Sequence, residues 1–169
     1  KSATVSLQVK MTGYGSVKAT LAGVGPLSIN EEGVFQVEVT DPHLWSPEDP
    51  FLYHLEIEVF DAEYTLTEFI IQRVGIRRFA IEDGVMKLNG ERVVFRGVNR
   101  HEFGKDGRVF DRPATVRDML LLKRAGVNAI RTSHYPNNSF FYALADKFGF
   151  MVIDEMNLET HGTWDPIVD

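Results

Sequence analysis

Between Arg96 and Glu155 three short strand-like runs alternate with two stretches of helical period, and this constrains the fold more than any other feature of the chain. The runs are Arg96-Gly97-Val98, Val127 to Arg131 and Phe150 to Glu155. After the first run, Thr115 with Asp118 predicts a capping box, Val116, Met119, Leu120 and Leu122 follow, and Gly126 marks the stop. A second helix is predicted from Asn137 or Asn138, carrying Phe141, Leu144, Ala145 and Phe148 before Gly149 ends it. The order is β-α-β-α-β, and right-handed crossovers would set the three strands parallel and adjacent. A closed (β/α)8 barrel takes eight such units, so this portion is expected to be about the first three-eighths of one.

The third run is the most telling. Phe150-Met151-Val152-Ile153 is continuously apolar, as for a strand buried on both faces, and Asp154-Glu155-Met156-Asn157-Leu158-Glu159-Thr160-His161 follows at once. Parallel strands bring their C-terminal ends together, so this cluster is expected to share one rim with Asn99-Arg100-His101-Glu102 and Arg131-Thr132-Ser133-His134. Any one of these residues has an ordinary reading, such as a loop histidine or an acid bracing a turn. Three polar strand ends in succession favour a site. The chain stops at Asp169, eight residues after His161, so a piece of a larger enzyme is expected.

The residues preceding this segment have the period of strands. Val5, Leu7 and Val9 alternate with polar neighbours, as do Val17, Ala19 and Leu21, then Phe35, Val37 and Val39, then Leu55, Ile57 and Val59. With Glu68 to Val74 this makes about five strands of an antiparallel sandwich, where about seven are usual. The sandwich is therefore expected to lack strands at its N-terminus or to leave an edge for a partner chain. The domains expected are an immunoglobulin-like β-sandwich over residues 1–77 and the barrel portion over residues 78–169. In the passage between them, Met86 to Phe95 predicts a hairpin around Asn89-Gly90.

Composition mainly excludes. A net charge of -6 with scattered Lys and Arg gives no nucleic-acid footprint. No apolar run approaches the roughly 18 residues of a membrane span. The absence of cysteine removes thiol chemistry and leaves the compartment open. There is no Gly-rich phosphate cradle, and Gly104 to Gly107 reads as a turn.

Among the rim residues, Glu159 and His161 can face one ion if their loop is extended, which suits oxygen and imidazole ligation but supplies only part of a metal site. His101 and His134 can donate hydrogen bonds to the hydroxyls of a polar substrate, and Arg131 can orient a carboxylate. A glycosidase would need two carboxylates about 5–5.5 Å apart for retention, and Glu102, Asp154, Glu155 and Glu159 are all candidates. The residues alone do not choose among them.

The segments FRGVNRHE (95–102), RTSHYPNN (131–138) and DEMNLETHG (154–162), in this order and spacing, closely resemble the β-galactosidases of glycoside hydrolase family 2. LWSPEDPFLY (44–53) is similar to the immunoglobulin-like domain that precedes the catalytic TIM barrel in that family. The resemblance covers essentially the whole chain. It implies a retaining enzyme acting on terminal β-D-galactosides, with Glu159 and His161 as ligands of an active-site magnesium ion and sodium as a second candidate ion. It further implies that His101 and His134 contact the galactosyl unit and its transition state, and that Arg131 supports the nucleophilic glutamate. In the family both essential glutamates come from later barrel strands, so this chain alone is expected to be inactive.

β-Glucuronidases of the same family share several of these features, and Glu-Thr-His-Gly favours the galactosidases over them. Phe103, followed by Lys105-Asp106, departs from the galactosidase pattern, which often carries a further histidine in that loop. A reading from another class is a carbohydrate-binding or purely structural module with inert rim histidines. The expected partners are galactoside-containing saccharides, missing parts of the same polypeptide and, in the parent, further copies of itself. The expected compartment is cytoplasmic or periplasmic, with an intracellular bacterial setting favoured.

Overall fold

The computed structural model describes residues 1–158. Two compact units are present, one of Lys1–Trp45 with Phe51–Arg78 and one of Ser46–Pro50 with the chain from Phe79 onward.

In the first unit, alternating apolar residues make β1 (Ser2–Leu7), β2 (Gly15–Leu21), β5 (Phe35–Thr40) and β6 (Tyr53–Asp61), while β7 (Leu66–Val74) pairs with β6 without such alternation. Two further strands, β3 (Gly25–Pro26) and β4 (Ser28–Ile29), bring the total to seven. At two residues each they are too short to show alternation, which is why the sequence shows only about five. The strands form antiparallel sheets ordered β1-β5-β4 and β3-β2-β6-β7. Register places Val5 opposite Val37, Ala19 opposite Ile57 and Leu21 opposite Leu55. These pairs feed a core of Val5, Ala19, Leu21, Leu27, Phe35, Val39, Leu55 and Ile57. Trp45 is buried, with its backbone N–H donating to the Ile76 carbonyl at 2.8 Å and the Arg77 guanidinium 4.6 Å from its ring centroid. Gly75 permits this approach, because a Cβ there would lie 3.2 Å from the Trp45 ring. Seven strands remove the shortfall from which missing N-terminal strands or a partner-covered edge were expected; β7 ends its sheet, with Phe69 and Ile71 55% and 54% exposed.

The second unit begins with a three-stranded antiparallel sheet of β8 (Phe79–Glu82), β9 (Val85–Leu88) and β10 (Glu91–Arg92). The Asn89-Gly90 hairpin is present, with φ of 56° and 93° at its two central residues, as a type I′ turn requires. A second hairpin joins β8 to β9 through Asp83-Gly84, whose φ values are also positive. That Asp-Gly pair was a legible signal.

Next come β11 (Gly97–Arg100), α1 (Arg112–Arg124), β12 (Ala129–Thr132), α2 (Ser139–Phe148) and β13 (Met151–Ile153). The order β11-β12-β13 is parallel throughout, an open β-α-β-α-β start of a TIM barrel. Helix α1 begins earlier than the capping-box reading placed it. Its N-cap is Asp111, whose carboxylate accepts from the Ala114 N–H at 3.0 Å, and Pro113 sits in the first turn, where a missing N–H costs nothing. Thr115 and Asp118 instead face the buried Arg100, whose Nη2 donates to each at 3.4 Å. Helix α2 starts where expected, with Asn138 accepting from the Phe140 N–H, and ends at Gly149 in the left-handed conformation.

Gly149 has a second duty, since a Cβ there would collide with the Pro47 carbonyl. That carbonyl also accepts from Lys123 Nζ at 2.5 Å, which ties Ser46–Pro50 to this unit. Burial depresses the Lys123 ammonium below the usual lysine range, and Glu48 opposes that shift. The core gathers Met119, Ile130, Phe141, Leu144, Ala145 and Phe150. Strand β13 departs from expectation: Met151 and Val152 are half-buried and Ile153 is 49% exposed. Among the described residues it has a neighbouring strand on one side only.

Candidate active site

The C-terminal ends of β11, β12 and β13 carry the polar groups to one rim. Arg100 pairs with Thr132 across the first two strands, so the residues after each emerge side by side. The imidazoles of His101 and His134 meet edge to face with centroids 5.6 Å apart. His101 stacks on Phe103 at 4.7 Å with 13° between planes, and Arg108 lies 5.5 Å from the far ring's centroid. The residue that departs from the galactosidase pattern thus supports one of the two histidines.

Behind the rings the acids are engaged. Glu155 accepts from Arg131 Nη2 at 2.9 Å and lies 3.2 Å from His134 Nδ1 through both oxygens. Asp154 accepts from Thr132 Oγ1 at 2.8 Å and from the Tyr142 hydroxyl at 2.7 Å. Glu102 accepts from the Asn138 N–H, and its own N–H donates to the Tyr135 hydroxyl at 3.0 Å. Arg131 also reaches Asn99 Oδ1 at 3.5 Å. Glu102, Arg108, Phe110, Tyr135 and Asn157 line a recess of about 370 Å³.

The structure therefore brings His101, Arg131 and His134 together. Glu159 and His161 lie outside the described residues, and among the described residues no three His, Asp or Glu side chains are grouped to hold a metal. Sequence reasoning missed the hydroxyls of Thr132, Tyr135 and Tyr142, which hold the acids in place. Tyr142 sits among the apolar residues of α2, where it reads as core; only the register of β13 beside β12 reveals its partner.

Burial, then the hydrogen bond to Asp154, pushes the Tyr142 phenol up to about 12. Because the folded value exceeds the unfolded one, this group's contribution to stability is intact below pH ~10 and is lost as pH rises towards ~12. In Tyr142→Phe the alkaline fall in thermal stability between those values should flatten. An unchanged slope would show that the phenol is not held by Asp154.

Two family models divide the chain: "Glycosyl hydrolases family 2" matches residues 1–77, and "Glycosyl hydrolases family 2, TIM barrel domain" matches residues 79–169. The chain belongs to glycosyl hydrolase family 2. A β-galactosidase of Halalkalibacterium halodurans is 47% identical over 89% of this chain and 15% of its own length. The β-galactosidase BgaC of Bifidobacterium adolescentis is 43% identical over 90% of this chain and 14% of its own. The chain thus spans about a seventh of the length of these curated family 2 relatives.

Solved structures of similar fold include the β-D-glucuronidase of Dictyoglomus thermophilum, with a TM-score of 0.77 and 30% identity over 95% of this chain and 29% of that one. A Ruminococcus gnavus β-glucuronidase in complex with D-glucaro 1,5-lactone gives 0.75 and 32% identity over 92% of this chain and 27% of that one. Among the described residues no helix is long and apolar enough to cross a membrane.

Proposed function

We propose that the full-length enzyme hydrolyses terminal β-D-galactosides with retention, through a covalent galactosyl-enzyme intermediate. What supports this most is the convergence of His101, His134 and the Arg131–Glu155 pair at the ends of parallel strands. Identity of 47% to a curated β-galactosidase adds to it. In the first displacement a glutamate attacks C1 while a carboxylic acid protonates the glycosidic oxygen. In the second, the former acid deprotonates a water that attacks C1, which breaks the glycosyl–enzyme ester bond and releases the sugar. Both carboxylates belong to later barrel strands in this reading. From this chain, His101 and His134 hydrogen-bond the sugar hydroxyls and Arg131 orients the nucleophile.

Glu159 and His161 offer a carboxylate oxygen and an imidazole nitrogen, a donor set that accepts magnesium, with sodium as the second ion. Of the neighbouring acids, Asp154 accepts from Thr132 and Tyr142 through one oxygen, and Glu155 holds Arg131 and His134. When bound, the ion supplies fixed positive charge that tunes the acidity of nearby groups.

The solved structures favour a second reading, hydrolysis of β-glucuronides, and they back it more directly than the first. Backbone likeness follows architecture, whereas the sugar's C5 substituent is recognised by side chains; the Glu-Thr-His-Gly stretch keeps the galactoside reading ahead. Assaying the full-length enzyme with matched chromogenic β-galactoside and β-glucuronide decides between them. A galactoside preference in kcat/KM of about 100-fold or more is expected, the scale of a site built to hydrogen-bond one substituent. A glucuronide preference would reverse the assignment.

A further inference from the structure

His134 has two ring nitrogens, and only one can be left for a substrate. Its Nδ1 lies 3.2 Å from each oxygen of Glu155. An ionised carboxylate only accepts hydrogen bonds, so the Nδ1 facing it carries the proton. In the neutral ring this fixes the lone pair on Nε2, the tautomer opposite to that favoured by free histidine. The same carboxylate takes Arg131 Nη2 at 2.9 Å, while Asn99 Oδ1 takes Nη1 at 3.5 Å, so the plane of the guanidinium is also set. Glu155 is itself anchored. Its N–H donates to Thr132 Oγ1 at 3.0 Å, and that hydroxyl donates onward to Asp154 at 2.8 Å.

We infer that Glu155 is a positioning residue that sets the tautomer of His134 and the orientation of Arg131 together, from one carboxylate at the end of β13. It reaches no substrate itself. It acts through two side chains that emerge from the neighbouring strand, as an outer carboxylate orients a working imidazole elsewhere. The structural half of this inference stands on geometry alone; its catalytic consequence rests on the glycosidase reading above.

The first test needs no variant. In the 169-residue chain labelled with ¹⁵N-histidine, long-range ¹H–¹⁵N spectra at about pH 9, where an ordinary histidine is neutral, report the tautomer of each of the five histidines. The His134 signal is assigned by its loss in His134→Gln. The Nδ1–H form is expected, and an Nε2–H ring or an equal mixture would overturn the inference. Glu155→Leu removes the acceptor beside Nδ1, so the ring should move towards the Nε2–H form of free histidine while the other histidines stay put. An unchanged tautomer in that variant also overturns it.

In the full-length enzyme, Glu155→Gln should lower kcat about 100-fold with KM changed less than about threefold, the scale for losing hydrogen bonds that strengthen in the transition state. A rise in KM alone would refute the positioning role. If the tautomer result holds and the unmodified enzyme cleaves neither galactoside nor glucuronide, the proposed activity fails and the Glu155 geometry stands.

Discussion

Phe141→Ala is expected to destabilise the second unit by about 3–5 kcal/mol, the usual loss for an aromatic side chain deleted from a packed core. Phe141 is fully buried and packs with Met119, Ile130, Leu144, Ala145 and Phe150. Its ring also lies 5.4 Å edge-on from Tyr142, with the Arg100 guanidinium 5.5 Å from its centroid. Arg100 is 8% exposed, its hydrogen bonds to Asn137, Thr115 and Asp118 are all 3.4 Å long, and its Nε has no partner among the described residues. Removing Phe141 therefore opens a cavity and takes a favourable ring face from a buried cation. Urea denaturation followed through the helical signal reads this unit selectively, since α1 and α2, the helices among the described residues, lie in it. Leu121→Ala, at a site 55% exposed, should shift stability by no more than about 0.5 kcal/mol. A Phe141→Ala loss below about 1 kcal/mol would mean the α2 face is not packed as described.

Turnover by the 169-residue chain alone is expected to stay at the uncatalysed rate, at least about 10⁶-fold below the full-length enzyme. Double displacement needs one carboxylate free to attack and a second, protonated, across the scissile bond. The rim acids among the described residues are committed elsewhere: Glu102 to the Asn138 N–H, Asp154 to two hydroxyls, and Glu155 to Arg131 and His134. A fluorogenic galactoside incubated with purified chain provides the measurement. Activity that copurifies with the chain and disappears in Glu102→Gln would show that the catalytic acids do not reside on later strands.

From Gly97 to Ile153 the sequence by itself determined the element order, the parallel sense of β11, β12 and β13 and the rim on which His101, Arg131 and His134 meet. Periodicity and connection handedness are local or near-local properties, so residues 97–153 disclose them without a structure. Turn chemistry was equally local at Asn89-Gly90 and Gly149, while the two-residue strands β3 and β4 had too little length for a period to register.

Only the tertiary structure decided what each polar side chain is for. Thr115 and Asp118 have the spacing of a capping box, yet the burial of Arg100 from β11 draws both inward and leaves the cap to Asp111. Asp154 and Glu155 are interchangeable acids on paper. The pleat gives them separate hydrogen-bonding partners, hydroxyls for one and Arg131 with His134 for the other. Those partners come from strands and helices 12–24 residues away in sequence. Hydrogen bonds are directional and short, so which acid braces and which positions is settled by the register between strands, a quantity that no local pattern encodes.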